Sequence, residues 1–384
     1  MPFSELQLQL DERAAKGLLR QRRTVMGAQG ARLTADGKQY ISFCSNDYLG
    51  LANHPRIIAA LQAGAERYGA GAGAAHLVSG HSLAHEALES ELAAFVGKPK
   101  ALLFSTGYMA NMGAVQALID RGDTVFADRL NHASLNDAML LSRATVRRYR
   151  HNDIAQLDAM LGETKKGRKL VCTDAVFSMD GDRVLLPELL DLCEKYDAWL
   201  LLDDAHGFGA SGREGKGTLA HFGIDSPRII YMATLGKAAG VFGAFVAAEK
   251  IVIDTLVNNA RSYIYTTAIP PALSVALSES LKLIAEGDEW RAHLQGLITK
   301  LRKGLDGLRW GLMESGTAIQ PLMIGGNQET MDISVALRER GIWVPAIRPP
   351  TVPVNTARLR ITLSAAHTAF DVETLIESLH ELAR

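Results

Sequence analysis

The apolar positions of this chain fall into two rhythms. Between about residues 100 and 245, short apolar runs such as Ala101-Leu102-Leu103-Phe104, Leu170-Val171-Cys172 and Trp199-Leu200-Leu201-Leu202 recur between stretches of helical spacing. A run with no polar alternation reads as a strand covered on both faces. Its alternation with helices predicts an α/β unit with a mostly parallel sheet between helical layers. Two of these strands end abruptly in polar residues: Asp203-Asp204 after Leu202, and Thr234-Leu235-Gly236-Lys237 after Ile229-Ile230-Tyr231-Met232-Ala233. Open α/β sheets gather their ligands at the carboxyl ends of strands, so this edge is the candidate site.

The flanking segments follow other periods. Leu6, Leu10, Ala14 and Leu18 predict one amphipathic helix over 4–23, lying across another part of the molecule or a partner subunit. It ends in Arg20, Arg22 and Arg23, which suit a solvated helix end. Residues 31–43 read as a hairpin turning at Asp36-Gly37, and Leu83–Val96 as a helix. Helical patterns around 271–286 and 290–314 lead into a smaller C-terminal α+β unit. The expected division is 1–45 for the N-terminal helix and small sheet segment, 46–285 for the large domain and 286–384 for the C-terminal domain.

Composition narrows the function classes. The 384 residues are 47% hydrophobic, enough for a sizeable core. Lys+Arg 41 against Asp+Glu 42 leaves no global field for nucleic acid or an anionic membrane, so an anionic substrate has to be held locally. No apolar run approaches the roughly 18–20 residues of a membrane span, and the N-terminus lacks the apolar centre of a signal peptide. A cytoplasmic enzyme is expected. Cys44, Cys172 and Cys193 are widely spaced without a CxxC, which predicts reduced core residues and no metal.

The chemistry centres on Lys237. Its Gly and Ala neighbours leave room for a flat ligand, and partial desolvation lowers an amine's pKa, making it a nucleophile toward an aldehyde. Asp203, at a nearby strand end, suits a protonated ring nitrogen; together the pair points to pyridoxal 5'-phosphate (PLP). Ser105-Thr106-Gly107-Tyr108 opens a helix directly after a strand, a seat for the cofactor phosphate to which Thr234 adds a hydroxyl. His132 either caps the next helix or stacks on the ring, and Ser178 is a candidate hydrogen-bond donor. Asn46 either forms a turn or meets a substrate carboxylate. Arg360 lies in a short alternating strand, where it grips a carboxylate in two places or closes an edge-strand salt bridge. The glycine-rich run Tyr68–His81 follows a helix, unlike a dinucleotide fingerprint, and reads as a flexible loop bordering the site.

Six motifs carry a resemblance over essentially the whole chain: SNDYLGL at 45–51, DRLNHASL at 128–135, VFSMDGD at 176–182, DDAHG at 203–207, TLGKA at 234–238 and IRPPTVP at 347–353. Together they resemble the α-oxoamine synthases, fold-type I PLP enzymes that condense an amino acid with an acyl-CoA and release carbon dioxide. The resemblance implies that Lys237 carries the cofactor, Asp203 pairs with the ring nitrogen, His206 and Ser178 meet the ring oxygen and His132 stacks on the ring. It implies a phosphate site of Gly107, Tyr108 and Thr234, and a homodimer in which Tyr265, Thr266 and Thr267 approach from the second subunit. Asn46 and Arg360 would take the amino-acid carboxylate, with Arg20, Arg348 and Thr351 for the acyl substrate and product.

The IRPPTVP run points to the branch that uses L-alanine and a pimeloyl thioester, on CoA or acyl-carrier protein, in biotin biosynthesis. Sister enzymes that use glycine or serine, and a non-catalytic partner subunit of the same fold, are the alternatives. In the implied reaction Lys237 removes the α-proton, and Lys237 or His132 supplies the final one. Two stretches depart from the common family texture, Gly73-Ala74-Ala75-His76 and Lys237-Ala238-Ala239-Gly240. They bear on loop flexibility and acyl-chain fit.

Overall fold

The computed structural model describes residues 2–384. The chain opens with α1 (Ser4–Ala15), β1 (Val25–Met26), β2 (Arg32–Ala35), β3 (Lys38–Ser42), α2 (Pro55–Tyr68) and α3 (Leu83–Val96). Strands and helices then alternate: β4 (Lys100–Phe104), α4 (Gly107–Leu118), β5 (Thr124–Asp128), α5 (Ala133–Leu141), β6 (Thr145–Tyr149) and α6 (Ile154–Glu163). They continue through β7 (Lys169–Asp174), α7 (Leu186–Lys195), β8 (Trp199–Asp203), α8 (Thr218–Phe222), β9 (Ile229–Thr234) and β10 (Ala244–Ala248). Helices α9 (Lys250–Asn259), α10 (Arg261–Ile264), α11 (Pro271–Glu286) and α12 (Asp288–Gly304) follow. The chain closes with β11 (Gly311–Leu312), β12 (Ile319–Gly325), α13 (Asn327–Glu339), β13 (Ile342–Trp343), β14 (Ala346–Ile347), β15 (Ala357–Thr362) and α14 (Ala369–Leu382).

The alternation builds a seven-stranded sheet of order β4-β10-β9-β8-β7-β5-β6, parallel except for β10, which runs antiparallel to both neighbours. Its central strands are largely apolar because both faces are covered, whereas the edge strand β6 carries the half-buried Arg147 and the exposed Arg148. Leu200, Leu202 and Tyr231 pack into one core on one face, while Leu201, Ile230 and Met232 pack into a second core on the other. Cys172 and Cys193 are buried, Cys44 is half-buried, and all three are free thiols.

Two smaller sheets complete the molecule. One runs β11-β12-β15-β14; the other, β1-β2-β3-β13, recruits a strand from far along the chain, with β13 parallel to β3. The hairpin turns where expected, at Asp36 and Gly37, both with positive φ. Among the described residues no helix is long and apolar enough to cross a membrane.

Three expectations need correction. The first helix stops at Ala15 rather than running to 23, because Gly17 turns the chain with φ 64°. None of its residues is buried, and Leu6, Leu8 and Leu10 face solvent rather than another part of this chain. The helix predicted over 290–314 ends at Gly304, and β11 begins at Gly311. Arg360 sits in a strand that is neither alternating nor an edge: all six residues of β15 are buried, between β12 and β14.

Candidate active site

The carboxyl ends of β5, β7, β8 and β9 open into one cavity. It is lined by Gly107, Tyr108, His132, Ser134, Asp174, Ser178, Asp203, Ala205, His206, Met232, Thr234 and Lys237. Each catalytic candidate and most of the cofactor candidates therefore meet in one place, because neighbouring parallel strands end at the same height.

Asp203 is buried at the end of β8 and held from two sides. One carboxylate oxygen accepts from Asn111 Nδ2 (2.7 Å) and the other from the Ala205 amide (3.0 Å). Asn111 also donates to Ser134 Oγ (2.9 Å), which lies 2.7 Å from His132 Nδ1, so one network sets Asp203 and the His132 ring. The His132 amide donates to Asp174 Oδ2 (2.9 Å). Burial, with the nearby Asp203 charge, pushes the Asp174 carboxyl well above its usual range.

Lys237 is half-buried in the cavity wall. Burial lowers its amine to about 8, with Asp203 and Asp174 pulling the other way. Its Nζ lies 2.8 Å from His206 Nε2, and His206 Nδ1 lies 2.6 Å from Tyr48 Oη. Burial first, then the Lys237 charge, holds His206 neutral, and burial raises the Tyr48 phenol to about 12. The chain has two self-consistent proton arrangements. An ammonium at Lys237 donates to Nε2, and His206 then donates from Nδ1 to Tyr48, whose hydroxyl can donate to Asn46 Oδ1 (3.3 Å). With a free amine the tautomer reverses, and Tyr48 donates to Nδ1. The lysine loop is fixed against the 45–51 motif at Gly240 (φ 70°), where a Cβ would lie 2.6 Å from the Leu51 carbonyl carbon and the Ala52 amide nitrogen.

Arg360 reaches the site by way of the 176–182 loop. Its Nε donates to the Ser178 carbonyl (2.6 Å) and its Nη2 to Asn46 Oδ1 (3.3 Å). The same loop is held at several other points. Asp180 pairs with Arg358, the Gly181 carbonyl accepts from Ser315 Oγ (2.8 Å) and Thr317 Oγ1 (2.9 Å), and Asp182 receives His151 Nε2 at 2.7 Å. His151 also faces Asp128 (3.1 Å), and despite its partial burial the two carboxylates raise the imidazole to about 10.

Other candidates stand apart from this cavity. Arg20 and Thr351 are exposed and Arg348 is half-buried. Gly17 nonetheless lies close to Arg348, a Cβ there falling 3.8 Å from Nη1, so the N-terminal segment and the 347–353 loop share one area. Tyr265, Thr266 and Thr267 do not line the cavity of their own chain; Tyr265 is 71% exposed. The glycine-rich run does not border it either. His76–Gly80 forms a single π-helical turn and His76 stacks on Tyr263 (centroids 4.9 Å apart). Three residues of the site escaped the sequence reading as functional side chains. Asp174 carries the same signal as Asp203, a carboxylate closing an apolar strand; Tyr48 stood inside a recognised motif; Asn111 was a lone amide in an apolar helix.

The profile of the aminotransferase class I and II family matches residues 38–379. The chain belongs to this family. One family relative, the 8-amino-7-oxononanoate synthase of Nitrosospira multiformis, is 61% identical over 98% of this chain and 95% of its own length. Among solved structures, serine palmitoyltransferase from S. paucimobilis with a bound PLP–myriocin aldimine superposes with a TM-score of 0.93 at 28% identity, covering 99% of this chain and 97% of that one. The 8-amino-7-oxononanoate synthase of Francisella tularensis does so with a TM-score of 0.79 at 30% identity, covering 89% and 97%.

The donor set fits PLP. A desolvated amine, a buried carboxylate, a flat imidazole and the start of α4 beside Thr234 surround one cavity. These are the partners that an aldehyde, a pyridinium nitrogen, an aromatic face and a phosphate each require.

Proposed function

We propose that this chain is an 8-amino-7-oxononanoate synthase. It is a PLP-dependent acyltransferase that joins L-alanine to a pimeloyl thioester, on CoA or acyl-carrier protein, and releases carbon dioxide and the free thiol, in biotin biosynthesis. The observation that carries this reading is the 61% identity to a synthase of that name over 98% of the chain. The cavity supports the chemistry, since the candidate amine, carboxylate and imidazoles meet at one sheet edge.

When bound, the cofactor supplies an electron sink for the carbanion equivalent left by loss of the α-proton. Lys237 would hold it and, once freed, act as the base; an amine near 8 is partly unprotonated at neutral pH. Asp203 would keep the ring nitrogen protonated, and the Asn111 and Ala205 donors hold that carboxylate in place. His206 and Ser178 would meet the ring oxygen and His132 the ring face. The amides of Gly107 and Tyr108, with the Thr234 hydroxyl, would take the phosphate. Arg360 and Asn46 would grip the alanine carboxylate. Arg20, Arg348 and Thr351 would serve the acyl chain from the area that Gly17 and Arg348 share.

The active assembly is a cytoplasmic homodimer. Leu77, Val78 and Tyr265 are 51%, 79% and 71% exposed on two segments joined by the Ala75–Thr267 bridge. Large apolar side chains so placed suit a second copy, with Tyr265, Thr266 and Thr267 reaching its cavity. The working division is 1–45, 46–285 and 286–384, the last bringing Arg360.

Initial rates with alanine, glycine and serine against pimeloyl, acetyl and palmitoyl thioesters test the reading. Alanine with a pimeloyl thioester is expected to dominate. Faster turnover of serine with palmitoyl-CoA, or of glycine with acetyl-CoA, would reassign the chain to a sister activity. No turnover and no PLP absorbance would mark a non-catalytic subunit.

A further inference from the structure

Away from the sheet-edge cavity, three imidazoles converge between α2 and α3. His76 opens the π turn, His81 follows it, and His85 is the third residue of α3; one ring nitrogen of each lies within 4.8 Å of the others. The hydrogen bonds fix two of the tautomers. His85 Nε2–H donates to the Ile269 carbonyl (2.8 Å), leaving Nδ1 to accept from the Ser82 amide (3.0 Å). His81 turns Nε2 to the Glu86 carboxylate (3.1 Å), leaving Nδ1 facing His76 Nδ1 at 2.9 Å. A far N–H anchored on a carbonyl or carboxylate, with the near nitrogen unprotonated, is the arrangement of metal-ligating histidines.

His76 completes the set. Its ring is held against Tyr263, and its Nε2 bonds to no described residue, so its proton can shift there from Nδ1 without breaking another bond. Ligand nitrogens about 2.0–2.1 Å from a tetrahedral zinc stand roughly 3.3 Å apart, within a few tenths of the His76–His81 separation. The Glu86 carboxylate beside His81 offsets a cation's charge. The cost is two Ser82 contacts, the amide and the hydroxyl that each lie 3.0 Å from His85 Nδ1, which a cation there would displace.

We propose that His76, His81 and His85 form a binding site for a divalent transition cation of zinc-like softness. The site uses imidazoles, so the absence of a CxxC does not bear on it. A cation here ties the 76–85 turn to Tyr263 and Ile269, either side of Tyr265–Thr267. It braces that stretch without entering the reaction.

The test uses chelator-treated, PLP-loaded protein titrated with zinc, and with cobalt as an optical probe. The expected result is one tight equivalent per chain, the visible absorption of four-coordinate cobalt, and a Tm rise of about 2–4 °C at 100-fold excess over Kd. His76→Phe keeps the ring stack and His81→Gln is partly solvent-facing; each should abolish the tight equivalent while leaving the metal-free Tm and the PLP absorbance unchanged. Should either variant fold poorly, Glu86→Gln at the exposed outer partner should weaken zinc about tenfold or more. Zinc bound no more tightly by the native protein than by these variants, or a Tm rise that persists in them, would overturn the site.

Discussion

The floor of the cavity and an outer rim of candidates that stand apart from it are built by different means. Asp203 and Thr234 close two adjacent strands of the large sheet and Lys237 follows just past the second; Asp203 is buried and Lys237 half-buried. Arg20, Thr351 and Tyr265 come from a terminal segment and loops, and each is exposed. A group whose proton affinity must shift has to leave water, and a buried charge has to be held by fixed partners, so the sheet carries it. A group that only has to reach a long substrate keeps its hydration until the substrate or a second subunit arrives.

This contrast ranks the expected effects. Lys237→Ala should lower kcat by about 10⁴-fold or more, and single-turnover assays would show it; a residue on the floor that gave less than tenfold would break the comparison. Asp203→Asn, an isostere that keeps the Asn111 contact, should cost about 10²–10³-fold in kcat. Arg360→Lys, between floor and rim, should raise the KM for L-alanine about 10–100-fold with a smaller change in kcat, since a lysine cannot reproduce the forked contact. Arg20→Ala, on the rim, should raise only the thioester KM, by about tenfold or less, and more at low than at high salt.

Two partly buried bases should also give opposite slopes of stability with pH in cofactor-free protein. The folded pKa of Lys237, about 8, lies below its ordinary 10.5, so the fold disfavours the ammonium. That penalty is full below pH 8 and fades as pH rises from 8 to 10.5. His151 is raised from 6.5 to about 10, so its stabilisation is full below pH 6.5 and is lost as pH rises through 10. Tm measured from pH 7 to 10 should climb more steeply in His151→Gln than in the native chain, and fall more steeply in Lys237→Ala.

Most of the floor was legible in the sequence because it obeys local rules. Apolar runs marked the strands, and the first polar residue after each marked the edge. What the local pattern missed depends on distant partners. Asn111 matters because Asp203, 92 residues away, needs a donor. Tyr48 matters because His206 lies 158 residues on. The first helix was drawn too long because leucine spacing continues past Gly17, whose left-handed backbone ends it. Arg360 looked like an edge residue because its two flanking strands, β12 and β14, lie about 35 and 13 residues upstream and nothing adjacent announces them.

The 176–182 loop has a mechanical consequence. Its backbone carries Ser178 at the cavity wall, yet it is riveted to Ser315, Thr317, Arg358 and Arg360 on one side and to His151 on the other. The carboxyl-terminal third is thus no freely swinging jaw: a rotation that moved Arg360 would drag Ser178 with it. Tension applied at Arg360 by the amino acid proposed to bind there would be felt directly at the opposite wall, so a change as remote as Thr317→Val should register as altered alanine affinity before it registers in melting temperature.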